Sequence, residues 1–170
     1  MDMPSNMKTY LAWTFHEVLP GTFKRNKKQF AHHDYPILGP LPAQKASTKV
    51  LEDCGSKGPC IYFVVDGRGK VCYVGKSKEA SVIKRWVRPG LGGPASHYWT
   101  HSTQLGGCVF NIADGIREGQ GPYSLRYAVM GQLMASYSAV FCITPMDSED
   151  VALEKMERGL IGLIAPAWNG

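Results

Sequence analysis

Two phenols, two cations and one carboxylate carry the chemistry this sequence offers. Tyr62 and Tyr73 lie in short runs, Ile61 to Val65 and Lys70 to Val74, joined by Asp66-Gly67-Arg68-Gly69 and followed by Gly75-Lys76-Ser77. The runs are rich in β-branched and aromatic residues, and the glycine-bearing connection predicts a tight antiparallel hairpin that brings the tyrosines close. A phenol has an ordinary pKa near 10, and a neighbouring cation lowers it, so such a pair can orient a water or take its proton. Arg85 follows Val82-Ile83-Lys84 and precedes Trp86-Val87; it falls at the edge of an apolar helix face and can point into a shared pocket. Glu157 stands four after Leu153 and four before Ile161, in register with the apolar stripe of a second helix. An inward carboxylate has to be paired, hydrogen bonded or bound to a metal, because a bare charge in a low dielectric costs several kcal/mol.

The elements that position these groups are legible locally. Strand side chains alternate, so Tyr62 and Val64 share one face of the hairpin and Ile61, Phe63 and Val65 the other, and a core needs only one of them. Ser77 can cap a helix from Glu79 to Val87 that stops near Pro89. Ser148 or Asp147 can start the helix bearing Glu157, with acidic residues in its first turn, and Ala165-Pro166 ends it. Glu154, four before Arg158, reads as half of an exposed ion pair.

In these residues the chain resembles the GIY-YIG nuclease superfamily. Cys60-Ile61-Tyr62 stands where that family has Gly-Ile-Tyr, and Tyr73-Val74-Gly75 where it has Tyr-Ile-Gly, continued by Lys76-Ser77. Lys84-Arg85-Trp86 resembles the family's arginine helix, and Glu157 with Leu160-Ile161, Pro166 and Trp168-Asn169 resembles its metal-binding glutamate and closing segment. Cys60 replaces a glycine, Arg85 lies two residues further from Tyr73 than is usual, and Pro89 stands where some members carry a histidine.

The resemblance implies an α/β (α+β) fold, a small three-stranded antiparallel sheet flanked by helices, in one domain. Residues 58–87 and 138–170 would form the catalytic core, 1–57 an N-terminal extension, and 88–137 an insertion that recognises substrate. The implied activity is metal-dependent, one-metal endonucleolytic hydrolysis of DNA, of a restriction or site-specific type. Glu157 would hold Mg2+, with Mn2+ as substitute, since magnesium often uses one or two carboxylates plus waters and substrate phosphate. Arg85 would neutralise phosphate charge. Tyr62 would act as general base with Tyr73 as orienter and Lys76 as alternative base or phosphate contact. Lys84 and Arg88 are alternative phosphate contacts, Gly75 is structural, and Asn169 positions the helix end or Tyr73 or is equally structural. Two other readings compete: a nonspecific nuclease toxin or effector, and a non-catalytic nucleic-acid-binding protein that keeps the fold.

Composition agrees with a polyanionic partner without requiring one. The 170 residues carry 44% hydrophobic content, enough for one sizeable core, and 19 Lys+Arg against 14 Asp+Glu give a formal charge of +5. Duplex DNA is expected ahead of single strands, with the protein a monomer or homodimer. The five cysteines form no Cys-x-x-Cys pair and read as small buried hydrophobes in a reducing cytoplasm, and no run is long enough to span a membrane.

Outside the resemblance, Lys24-Arg25-Asn26-Lys27-Lys28 is the densest basic run and can hold phosphates, and Pro36 to Pro42 reads as an extended connector. His97 and His101 stand at helical spacing; with Cys108 they could hold zinc, but no further ligand is evident, and phosphate contact is the simpler expectation. Ser124 to Met134 reads as an amphipathic helix, and Arg68, Arg117 and Arg126 are further candidate nucleic-acid contacts.

Overall fold

The expected hairpin forms the middle of the molecule in a computed structural model that describes residues 2–24, 34–41, 58–78, 82–89, 97–99 and 107–169. Strand β4 (Cys60–Val65) pairs antiparallel with β5 (Val71–Ser77), and the Asp66 carboxylate closes the turn by accepting from the Arg68 and Lys70 N–H groups, each at 2.9 Å. Beyond β4 lie β8 (Tyr123–Val129) and then β1 (Tyr10–Phe15), giving a four-stranded antiparallel sheet of order β1-β8-β4-β5. The protein is therefore mixed α+β with an antiparallel sheet, but that sheet has four strands where three were expected. The fourth, β1, comes from the N-terminal extension.

Strand β8 corrects a local reading. Ser124 to Val129 is strand rather than helix, and helix α3 (Met130–Tyr137) begins only after it. Tyr123, Leu125 and Tyr127 alternate along β8 and all three are buried on one face, so strand period outweighs the helical spacing that Leu125 and Val129 also satisfy. Residues 88–137 thus supply a strand between β1 and β4.

Both sheet faces are covered, so β4 is buried at every position. Tyr62, Val64, Leu125 and Tyr127 face helices α1 (Val82–Trp86) and α2 (Gly107–Arg117) through Ile83, Trp86, Val109 and Ile112. Ile61, Phe63, Val71 and Val74 face α3 and α4 (Glu149–Ile164) through Leu133, Leu153, Met156 and Leu160. The expectation that a core needs one face fails because two successive pairs of helices pack on the two sides. Among the described helices none is long and apolar enough to cross a membrane.

Two small ribbons complete the Tyr62 side. Strand β2 (Glu17–Lys24) pairs with β3 (Asp34–Gly39), which makes Pro36 to Gly39 a strand rather than a connector; the basic run after Lys24 lies outside the described residues. Strand β6 (Val87–Pro89) continues from α1 and pairs with β7 (His97–Trp99), so His97 is on a strand and the helical His97/His101 spacing is not realised; His101 lies outside the described residues. Ser77 ends β5 opposite Cys60 instead of capping α1. Helix α4 starts as read: Ser148 accepts from the Val151 N–H at 3.4 Å, Glu154 pairs with Arg158 at 2.8 Å, and Ala165 closes it at φ 48°. Cys60, Cys72 and Cys108 are buried, Cys108 on α2, while Cys142 is exposed and Cys54 lies outside the described residues.

Candidate active site

Register places the two phenols on one face. Val64 stands opposite Tyr73 and Tyr62 opposite Gly75, and the register shift between Val64 and Val65 returns Val71 to the other side. The rings of Tyr62 and Tyr73 lie 6.1 Å apart at 30°, and the Trp86 ring from α1 meets Tyr62 edge-on at 5.9 Å. Gly75 makes this arrangement possible: a Cβ there would fall 2.5 Å from the Tyr62 Cζ and Oη. Tyr62 is only 1% exposed, whereas Tyr73 is half-buried and reaches the surface.

Arg85 belongs to the same cluster. The residue is exposed, yet it lowers the Tyr62 pKa through its charge and hydrogen bonding, and its charge also lowers that of Tyr73. Burial nevertheless dominates at both phenols. It pushes Tyr62 well above the ordinary tyrosine value, reinforced by Tyr73 and Cys108 and only partly offset by Arg85. Burial, with Cys108 and Glu157, pushes Tyr73 up to about 12. The expectation that a cation draws Tyr62 down is thus outweighed in the protein itself, because desolvation of a buried phenolate exceeds the attraction of a guanidinium that keeps its own water.

Lys76 and Glu157 form the second cluster. Lys76 Nζ lies 2.9 Å from Glu157 Oε2, with side-chain exposures of 32% and 20%. The buried stripe of α4 is Leu153, Met156, Leu160 and Ile164, so Glu157 sits on its shoulder beside Ile161 rather than at its centre. Alternation puts Lys76 on the Ile61 face, across β5 from Gly75 and the phenols. Only an edge strand separates the two clusters, and the charge of Glu157 raises the Tyr73 pKa from across it.

That edge is fastened by the C-terminus. The Val74 N–H donates to Asn169 Oδ1 and Asn169 Nδ2 donates to the Val74 carbonyl, both at 2.7 Å, while the Trp168 N–H donates to the Cys72 carbonyl at 2.9 Å. Asn169 thus imitates a strand residue and fixes the backbone between Tyr73 and Gly75.

Arg68, Arg117 and Arg126 stand apart from this site. Arg68 is in the hairpin turn, at the end of β5 away from Lys76. Arg126 pairs with Phe63 on the α3/α4 face and donates from Nε to Thr9 Oγ1 at 3.0 Å, a strand-to-arm tie rather than a free cation. Arg117 is exposed at the end of α2 and pairs with Asp114 at 3.0 Å. Lys84 lies on α1 next to Arg85, and Arg88 and His97 lie on the β6/β7 ribbon that leads directly from it. Trp86, read only as core, also orients Tyr62; its place one residue after Arg85 was the available signal.

Glu157 is a donor of the type that a magnesium ion uses. It is a partly buried carboxylate across β5 from the phenols, and a carboxylate suits a hard cation that keeps waters and takes phosphate oxygens. Among the described residues no three His, Cys, Asp or Glu side chains come together, as a zinc site would require. Comparison with family models, curated proteins and solved structures finds no match to this chain.

Proposed function

We propose that this protein is a metal-dependent endonuclease that hydrolyses phosphodiester bonds in DNA, with GIY-YIG-like chemistry. The observation that carries the reading is the convergence of residues far apart in sequence. Arg85 from α1 acts on the Tyr62/Tyr73 pair on one face of β5, and Glu157 from α4 is held by Lys76 on the other face of the same strand. Strands β8, β4 and β5 serve as the three-stranded core of that fold, with β1 added at one edge.

When bound, magnesium at Glu157 would acidify a water and offset charge on the phosphate. Arg85, exposed and anchored on Tyr62, presents its planar donors to the non-bridging phosphate oxygens. Tyr73 is the phenol at the surface, so it hydrogen bonds the attacking water, and Tyr62 backs it from the buried side. Both phenols keep their protons at neutral pH, which makes them hydrogen-bonding groups in the resting protein; either becomes a base only when added positive charge lowers its pKa. Lys76 supplies a second cation for phosphate.

The test is cleavage of defined duplex and single-stranded DNA, with magnesium or chelator, resolved on a denaturing gel beside Glu157→Gln. Discrete magnesium-dependent products are expected, reduced by about 10²-fold or more in the variant, the scale for loss of an electrostatic stabiliser. Folding should persist, because a half-exposed ion pair contributes at most about 1 kcal/mol. Parental cleavage by Glu157→Gln would sink the reading. A smear would favour a nonspecific nuclease, and absence of cleavage with binding retained would favour the non-catalytic reading.

A further inference from the structure

We propose that Lys76 is a built-in competitor for the cation at Glu157, so that metal binding is weak until phosphate arrives to take the lysine. The inference rests on the reading that Glu157 receives a divalent ion. Lys76 Nζ already lies 2.9 Å from Glu157 Oε2, and both side chains are largely withdrawn from solvent. A carboxylate has lone pairs enough for two partners, but an ammonium and a divalent ion on neighbouring oxygens repel across a few ångströms, and a half-buried site screens that repulsion less than water does. The ion must therefore displace the ammonium.

Where the ammonium goes is also constrained. Lys76 sits on β5 next to Gly75, two residues beyond the Val74 backbone that Asn169 holds, so its Cα is anchored while the side chain can swing along the strand edge. The anion it can reach there is the phosphate that completes the metal's shell. Metal releases the lysine for phosphate, and phosphate draws the lysine away from the metal's ligand. Each ligand then strengthens the other by the same factor, as reciprocity of coupling requires.

The experiment is titration of the full chain with manganese(II) chloride, without nucleic acid, followed by electron paramagnetic resonance of the free ion. Lys76→Met removes the competitor and should tighten binding by about fivefold, the equivalent of a half-exposed ion pair. Lys76→Gln, neutral but polar, should do the same, so the comparison stands even if one variant folds poorly. Lys76→Arg keeps the charge and should stay within about twofold of the parent. Unchanged or weakened affinity in both neutral variants, with Glu157→Gln abolishing binding, overturns the competition and leaves the metal reading intact. No manganese bound by the parent or by either neutral variant overturns both.

Discussion

Gly75→Ala tests whether the Tyr62/Gly75 contact builds the site. The added Cβ would lie 2.5 Å from Tyr62 Cζ and Oη and 2.8 Å from Cε2, where ordinary contact begins at 3.4 Å. The ring must therefore recede by roughly 1 Å, since non-bonded carbons settle near 3.5–4.0 Å. It has little room to do so: Trp86 meets it edge-on at 5.9 Å and Tyr73 lies at 6.1 Å, in a core where Tyr62 is 1% exposed. Overpacking of this kind costs about 1–3 kcal/mol. Replacing glycine in a strand recovers roughly 0.5–1 kcal/mol of backbone entropy. The net loss is about 1–2 kcal/mol, or roughly 2–8 °C in Tm for a chain of this size. Cleavage should fall further than stability, since a misplacement of about 1 Å at a reacting group can cost 10²-fold. Thermal unfolding followed by circular dichroism, and single-turnover cleavage well below the variant's Tm, measure the two effects separately. Parental Tm with parental cleavage would refute the argument that glycine is required here to seat the phenol.

Gly162→Ala, on the exposed side of α4 with nothing within 4 Å of the added Cβ, should stabilise by about 1 kcal/mol and raise Tm by roughly 2–4 °C; a lower Tm would count against it. Asn169→Ala removes both 2.7 Å bonds to Val74 and should cost about 1–3 kcal/mol, with faster hydrogen exchange at the Val74 amide; unchanged protection there would refute the clamp. Burial holds Tyr73 at about 12 against an ordinary 10.0, and Cys60 at about 12 against 9.0, so both stay protonated in the fold after the unfolded chain has begun to ionise. Their contributions are full below the unfolded values and are lost as pH climbs from about 9 to 12; a urea midpoint constant over that window would contradict this.

What was legible in the sequence was local, or lay within one helix. Asp66-Gly67-Arg68-Gly69 specified the hairpin turn because its carboxylate closes on nearby N–H groups, and Ser148 and Ala165 marked the ends of α4 by cap chemistry. The phenol pair followed from alternation along that hairpin. Strand β8 was not legible, because Tyr123 to Val129 satisfies both periods over so short a run and its pairing with β1 and β4 is decided by partners far away in sequence. The same limit hid the second buried face. Arg126 looked like a groove cation until Phe63 and Thr9 fixed its side of the sheet. Glu157 was placed in the right helix but too far inward, since Met156 rather than Ile161 completes the buried stripe. The elevated phenols could not be read either: a neighbouring arginine is visible in sequence, while desolvation is a property of the packed site.

The C-terminal clamp joins stability to chemistry through one strand. An edge strand exposes backbone donors and acceptors that invite pairing with another chain, and folds usually cover or blunt such edges. Here the edge strand is also the one that carries Tyr73 and Lys76, so covering it completely would bury the site. Among the described residues, Asn169 and Trp168 occupy the edge at Cys72 and Val74, where they fix the backbone that sets Tyr73 and Gly75. Beyond Val74 the strand carries Lys76, tied to Glu157 through side chains alone. The backbone there is anchored by β4 on one side. A side-chain amide suits this division better than a further strand would, because it satisfies one residue's backbone without committing the next.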